Sequence, residues 1–218
     1  KMLEPYLALS CVVVRHVWQE DDGFRAARIR NLAIKASTSE YLILLDGDCI
    51  PEAHFVDDHL ALAAPGFFFQ GKRVIVSQKA SQSFDVKDIR SFFSRVKHVL
   101  TGSVSNAHHL FRIPFFPAYT TQKHSGVRSC NMGFFRSDLV AVNGFNQDFS
   151  GWGREDSELV VRLYKYGIKR KEHPFRAICY HLWHLENDRN AIDRNDRLLA
   201  EAMASDQYCC RSGINEYE

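Results

Sequence analysis

Apolar positions along this chain fall into two kinds of run. Residues 7–17 (LALSCVVVRHV), 41–46 (YLILLD) and 67–78 (FFFQGKRVIVSQ) are short and rich in β-branched or aromatic side chains. The first two read as buried strands, the second of them parallel, and the third as a strand or hairpin. Between them Phe24, Ala27, Ile29, Leu32, Ala33 and Ala36 return at helical intervals after Gly23. Pro51 opens a second helix over EAHFVDDHLALAA, which Pro65-Gly66 ends. The βαβαβ order predicts a layered α/β sheet.

Residues 79–128 break this rhythm. DVKDIRSFFSRVKHVL (85–100) predicts a helix, and the stretch that follows mixes Pro, Gly, Ser, His and Arg without period. It is too long for an ordinary connection and reads as a functional excursion or lid, mobile over 101–128. Regularity returns at CNMGFF (130–135), a short helix RSDLVAV and a turn at Asn143-Gly144. A helix over Glu155 to Tyr166, a late strand FRAICYHLWH (175–184) and a polar C-terminal helix follow. The chain therefore divides, within one domain, into 1–78, the excursion 79–128, and 129–218.

Composition adds exclusions. Hydrophobic residues make up 45% and charged residues 25% of the 218, which rules out a disordered tail or a coiled coil. Lys plus Arg is 28 against 26 Asp plus Glu, a net charge of +2, too balanced for a dedicated nucleic-acid binder. No apolar run approaches the roughly 20 residues of a membrane span, and Lys1-Met2-Leu3-Glu4-Pro5 lacks signal-peptide order. The six cysteines show neither a CxxC pair nor metal-type spacing. They read as free thiols packed like small hydrophobes in a reducing, cytoplasmic protein.

Four clusters carry candidate chemistry. Asp46-Gly47-Asp48 ends a buried strand, where open α/β sheets gather ligands. Two carboxylates one residue apart can hold a divalent cation that bridges diphosphate oxygens; an acidic turn is the plain alternative. In Gly151-Trp152-Gly153-Arg154-Glu155-Asp156 two glycines flank a Trp before an acidic first turn. The helix dipole explains the carboxylates. It does not explain the Trp, whose face suits a sugar ring beside a carboxylate base. His181 and His184 end the last strand and reach one ion together only if the strand turns between them. Imidazole beside carboxylate suits Mn2+ better than Ca2+. Arg25, Arg28, Arg30 and Asn31 surround a helix start and suit a phosphate or base edge, or else form a solvated basic face.

Taken in order, HVWQEDDGFRAARIRNLAI (16–34), YLILLDGDCIP (41–51), CNMGFFRSDLVAVNGF (130–145), GWGREDSELVVRLYKYGIKRK (151–171) and YHLWH (180–184) resemble family-2 inverting glycosyltransferases of GT-A fold. GWGRED is also similar to the C-terminal part of animal galactosyltransferases and of bacterial chondroitin-type polymerases. The nearest subgroup builds lipopolysaccharide core or capsular glycans. The resemblance implies a Rossmann-like, mixed, mostly parallel sheet flanked by helices. It implies a nucleotide-sugar donor, a UDP-sugar, with Mn2+ or Mg2+ as cofactor and a glycan or glycolipid as acceptor. Asp46 and Asp48 would form the DxD pair, with Asp48 and His184, and also His181, as metal ligands. Asp156 would be the catalytic base, with Glu155, also counted as catalytic, binding the acceptor or donor sugar beside it. Arg30 and Asn31 would hold the nucleotide-sugar, and Trp152, Gly151, Gly153, Arg128 and Asn131 would contact substrate.

Family members open with two strand-and-turn elements that supply much of the uridine site. Here the family-like stretch starts near residue 12, which predicts either a fragment with an incomplete N-terminal half or an N-terminus rebuilt from something else. Two rivals follow: a non-catalytic glycan-binding or subunit-pairing remnant, and a metal-dependent phosphate-ester hydrolase. The segment HHLFRIPFF (108–116) predicts either a buried aromatic cluster or a peripheral contact at the inner face of the membrane. Oligomeric state is not legible in the sequence.

Overall fold

The computed structural model describes residues 13–217. Two mixed sheets and eight α-helices build it. The first helix, α1, is Ala26–Ala36, followed by strands β1 (Tyr41–Leu45) and β2 (Cys49–Pro51). Helix α2 (Phe55–Leu62) leads to β3 (Phe67–Gln70) and β4 (Lys72–Val76). The excursion holds α3 (Gln78–Ser81), α4 (Val86–Arg90), α5 (Phe92–Leu100), β5 (Val104–Ser105) and β6 (Tyr119–Thr121). Then come β7 (Asn131–Phe135), α6 (Arg136–Ala141), α7 (Glu155–Tyr166), β8 (Lys169–Glu172), β9 (Ile178–His181) and α8 (Ile192–Ala204).

The strand order is β1-β7-β3-β8-β6 in one sheet and β2-β9-β4-β5 in the other. The α/β class and the helical flanks match the expectation from sequence. The share of parallel pairing does not: only β3–β8 and β4–β9 are parallel among the described pairs. An apolar run such as YLILL reports burial and carries no information on strand direction. β1 pairs antiparallel with β7, a strand that returns from the excursion. Of the predicted strand 7–17, residues 7–12 lie outside the described residues, and 13–17 form no strand, with Val13 exposed.

Other corrections have local causes. Pro51 ends β2 rather than starting a helix, because residues 49–51 are claimed by pairing with β9. The run 67–78 splits at Gly71 into strands of different sheets. A Cβ at Gly71 would lie 2.2 Å from the Asn131 side chain, so only glycine fits between the sheets. The predicted helix 85–100 breaks at Ser91, whose hydroxyl accepts the Ser94 N–H at 3.2 Å and restarts the chain as α5.

The larger core packs Ala27 and Ile34 of α1 and Leu159 and Leu163 of α7 against Phe68, Met132 and Phe134 of the first sheet. A second core of Val74, Val76, Phe84, Ile89, Val104 and Tyr180 lies under the excursion. The excursion is fastened to the rest of the chain. His109 Nδ1 meets the Pro174 carbonyl at 2.7 Å, and β6 pairs with β8. Arg112 donates to both oxygens of Asp58. The 108–116 cluster is only partly buried: Leu110 is enclosed, whereas Phe115 is 89% exposed. Among the described residues no helix is long and apolar enough to cross a membrane.

Asp58 is an unread cornerstone. It is 1% exposed and accepts from Arg112, from Arg176 Nε at 2.7 Å and from the Ala177 N–H at 3.0 Å. Burial alone would raise its pKa, but these donors outweigh it and hold the carboxyl low. Asp58→Ala leaves two guanidinium groups without a counter-charge, and a loss of about 3–5 kcal/mol in urea unfolding is expected. A loss under about 1 kcal/mol would mean the cluster is solvated in the working protein.

Candidate functional site

The antiparallel register of β2 and β9 pairs Cys49 with His181, which brings the Asp46-Gly47-Asp48 turn against the end of the last strand. The Leu182 N–H bonds the Asp48 carbonyl at 2.9 Å, and beyond His181 the chain leaves the strand. That exit settles the facing problem of two histidines three residues apart. Both ring nitrogens reach one carboxylate oxygen: Asp48 Oδ2 is 3.0 Å from His184 Nε2 and 3.6 Å from His181 Nε2.

His184 Nδ1 lies 2.9 Å from the Leu185 carbonyl, so Nδ1 carries the proton there. In the neutral ring Nε2 then points a lone pair at a carboxylate oxygen. That arrangement needs either a protonated ring or a cation between the two. Two ligands about 3 Å apart are neighbours on an octahedron with bonds of about 2.1 Å. The donor set therefore fits a divalent metal of the Mn2+ or Mg2+ kind.

Arg30 connects this corner to the next. From α1 it donates to Asp46 Oδ1 at 3.2 Å and to Glu155 Oε1 at 3.1 Å, with its guanidinium 5.3 Å from the Phe145 ring centroid. The end of β1 and the start of α7 are thereby held together. Burial raises the Asp46 pKa, against the opposing pull of Arg30.

Asp156 is half-buried in the first turn of α7. Its Oδ1 accepts the Ser157 N–H at 2.7 Å and its Oδ2 the Ser129 N–H at 3.3 Å. Desolvation, followed by the adjacent Glu155 charge, pushes its pKa up to about 6. A carboxylate poised there can accept a proton near neutrality. The turn that delivers it is left-handed at Gly151, Gly153 and Arg154. A Cβ on Gly151 would lie 2.4 Å from Ala191 Cβ, so glycine is required by conformation and by space. Trp152 is half-buried, and Arg189 lies 4.9 Å over its ring.

Other sequence candidates have different places. Asn31 is fully buried, and its amide bonds both the N–H and the carbonyl of Phe145, at 2.8 and 2.7 Å. Asn131 is equally enclosed: its Nδ2 donates to the Lys72 and Ala177 carbonyls and its Oδ1 meets His59 Nε2 at 2.9 Å. Both amides are consumed by the scaffold, one locking α1 to the Asn143-Gly144 turn and the other stitching the sheets. With 0% and 1% of their surface exposed, neither side chain is open to a ligand, and direct contact by either is corrected to a positioning role. Arg128 is exposed at the mouth of a cavity of about 280 Å3 that Lys72, Arg73 and His108 also line.

Sequence reasoning missed two fastenings of the site. Glu158 and Arg162 form a buried pair at 2.7 Å, from which Arg162 also donates to the Gly144 carbonyl at 2.8 Å. Asp58 sits on the apolar side of α2 between Phe55 and Leu62. A carboxylate in an apolar stripe was the available signal.

Residues 114–185 match the family described as the N-terminal domain of galactosyltransferase. Chondroitin synthase from Escherichia coli is 24% identical over 176 residues, covering 72% of this chain and 25% of that protein. Hyaluronan synthase from Pasteurella multocida is 25% identical over 170 residues, covering 71% and 17%. Validoxylamine A glucosyltransferase from Streptomyces hygroscopicus subsp. jinggangensis is 26% identical over 173 residues, covering 71% and 39%. The chain thus spans between a sixth and two fifths of these relatives. Among solved structures, GalNAc-T7 with UDP, GalNAc and Mn2+ superposes with a TM-score of 0.56 at 14% identity, covering 85% of this chain and 35% of that one. The fold is the GT-A glycosyltransferase fold.

Proposed function

We propose that this chain, a glycosyltransferase relative of GT-A fold, transfers a sugar from a nucleotide-sugar donor to a glycan or glycolipid acceptor with inversion. The observation that carries this reading is the convergence of Asp48, His181 and His184 at one corner, with Arg30 bonding Asp46 beside it and Glu155, the neighbour of Asp156, at the other. The relatives' names add two polysaccharide synthases and a glucosyltransferase. A UDP-sugar is the favoured donor, since the structural neighbour was solved with UDP. The favoured acceptor is a growing lipopolysaccharide or capsule-type glycan.

Asp48 and His184, with His181 beside them, would hold Mn2+ or Mg2+, which supplies charge neutralisation of the departing diphosphate. Asp156 accepts the proton of an acceptor hydroxyl. As that proton moves, the oxygen forms a bond to the anomeric carbon while the bond from that carbon to the diphosphate oxygen breaks on the opposite face. A single displacement of this kind inverts the anomeric configuration. Burial, and after it the Glu155 charge, keeps the Asp156 pKa raised. Arg30 positions Asp46 and Glu155. Trp152, held between Gly151 and Gly153, offers an apolar face to the acceptor ring once Arg189 moves aside.

Calorimetric titration with UDP tests the reading. Binding with Mn2+ present, weaker by about a hundredfold without it, is the expected result. Absence of binding in both conditions, by folded protein, would overturn it in favour of a non-catalytic glycan-binding chain.

A further inference from the structure

All five exposed phenylalanines among the described residues lie in the excursion, at Phe92, Phe93, Phe111, Phe115 and Phe116. Helix α5 buries none of its side chains, although its apolar positions recur at helical spacing. Phe93 is 84% and Leu100 81% exposed, and their spacing of two turns puts them on one face. The loop 108–116 continues this surface. The Phe92 ring centroid lies 6.0 Å from that of Phe111, and the Arg95 guanidinium lies 6.0 Å over the same Phe111 ring. Arg95 Nη1 also donates to the Leu110 carbonyl at 3.0 Å, which fixes the helix against the loop.

The charges of this surface have one sign. Helix α5 holds Arg95, Lys97 and His98 and no acid. Helix α4 before it adds Lys87 and Arg90, both exposed. The carboxylate within α4, Asp88, is engaged by the Ser94 hydroxyl at 2.5 Å and by His98 at 3.2 Å, while Asp85 caps the helix through the Lys87 N–H. A contiguous apolar patch rimmed by charge marks an interaction site. A second copy laid on this face would set Lys87, Arg90 and Lys97 against their own kind, which like-charge repulsion opposes. A sheet of anionic lipid supplies both complements, acyl chains for the rings and headgroup phosphates for the cations.

We propose that α5 and the loop 108–116 form a docking face for an anionic lipid surface. Phe93, Leu100 and Phe115 enter the boundary between headgroups and acyl chains, and Lys87, Arg90 and Lys97 meet the phosphates. The contact is peripheral, since among the described residues no helix is long and apolar enough to cross a membrane. Docking needs neither donor nor metal, so it stands or falls apart from sugar transfer.

Co-sedimentation of the full 218-residue chain with vesicles tests the proposal. Binding is expected with vesicles of mixed phosphatidylglycerol and phosphatidylcholine, and none with phosphatidylcholine alone. It should weaken in about 0.5 M NaCl, which screens the headgroup charge. Phe93→Ser with Phe115→Ser should lower vesicle affinity by at least about tenfold, and Arg90→Gln with Lys97→Gln should do the same by at least about tenfold. Neither pair should shift the melting temperature, because all four side chains are exposed. Val140→Ser, at an exposed apolar position of α6, should bind as wild type does. Folded wild type that ignores anionic vesicles, equal binding to both vesicle types, or binding untouched by the phenylalanine pair would each overturn the proposal. So would a dimer in light scattering that Phe93→Ser dissolves, which would assign the face to a second copy of the chain.

Discussion

Replacing Asp156 by asparagine is expected to lower sugar transfer by about 100- to 10,000-fold while Mn2+-dependent UDP affinity stays at the wild-type level. The variant keeps the shape of the side chain and loses its basicity. Its backbone partners at Ser129 and Ser157 donate to oxygen, and an amide still offers one. The donor corner at Asp48 is on a different segment and is not touched. Equal loss of transfer and of UDP affinity would remove Asp156 from the role of base. The pH dependence gives a second readout. With its pKa up at about 6, Asp156 is deprotonated above that value and able to accept a proton. The rate should fall about tenfold for each pH unit below about pH 6. Glu155→Gln removes a neighbouring negative charge that raises this pKa, so the inflection should move to lower pH.

Asp48→Ala is expected to abolish the part of UDP affinity that depends on Mn2+, about 3 kcal/mol or on the order of a hundredfold. The reason is geometric. Asp48 Oδ2 is the atom on which His181 and His184 both converge, so its removal leaves two imidazoles and no anionic ligand. Titrations with and without Mn2+ check this, because the metal-free affinity should not change. An Mn2+ effect that persists in Asp48→Ala would place the metal elsewhere in the fold.

Much of this site was legible residue by residue. The DGD turn, the HLWH end and the acidic start of α7 were each visible as chemistry at an element boundary, because short-range periodicity reveals where strands and helices stop. The helix Glu155–Tyr166 has the bounds that its pattern predicts. Asn31 and Asn131 show the limit. Nothing in the local sequence distinguishes an amide that faces a ligand from one that saturates backbone groups 114 residues away, as Asn31 does at Phe145.

The sequence by itself determined the element types, the α/β class and which polar clusters stand at element ends, since these follow from periodicity and capping over a few residues. Only the tertiary structure decided strand direction, the meeting of both histidines on Asp48 and the bridge of Arg30 from Asp46 to Glu155. Those are contacts between residues from 16 to 136 positions apart, as in Arg30–Asp46 and Asp48–His184. Their partners are set by sheet register and by which buried charges must be matched. No local pattern encodes that choice, because burial tells a side chain to leave water without telling it whom to meet.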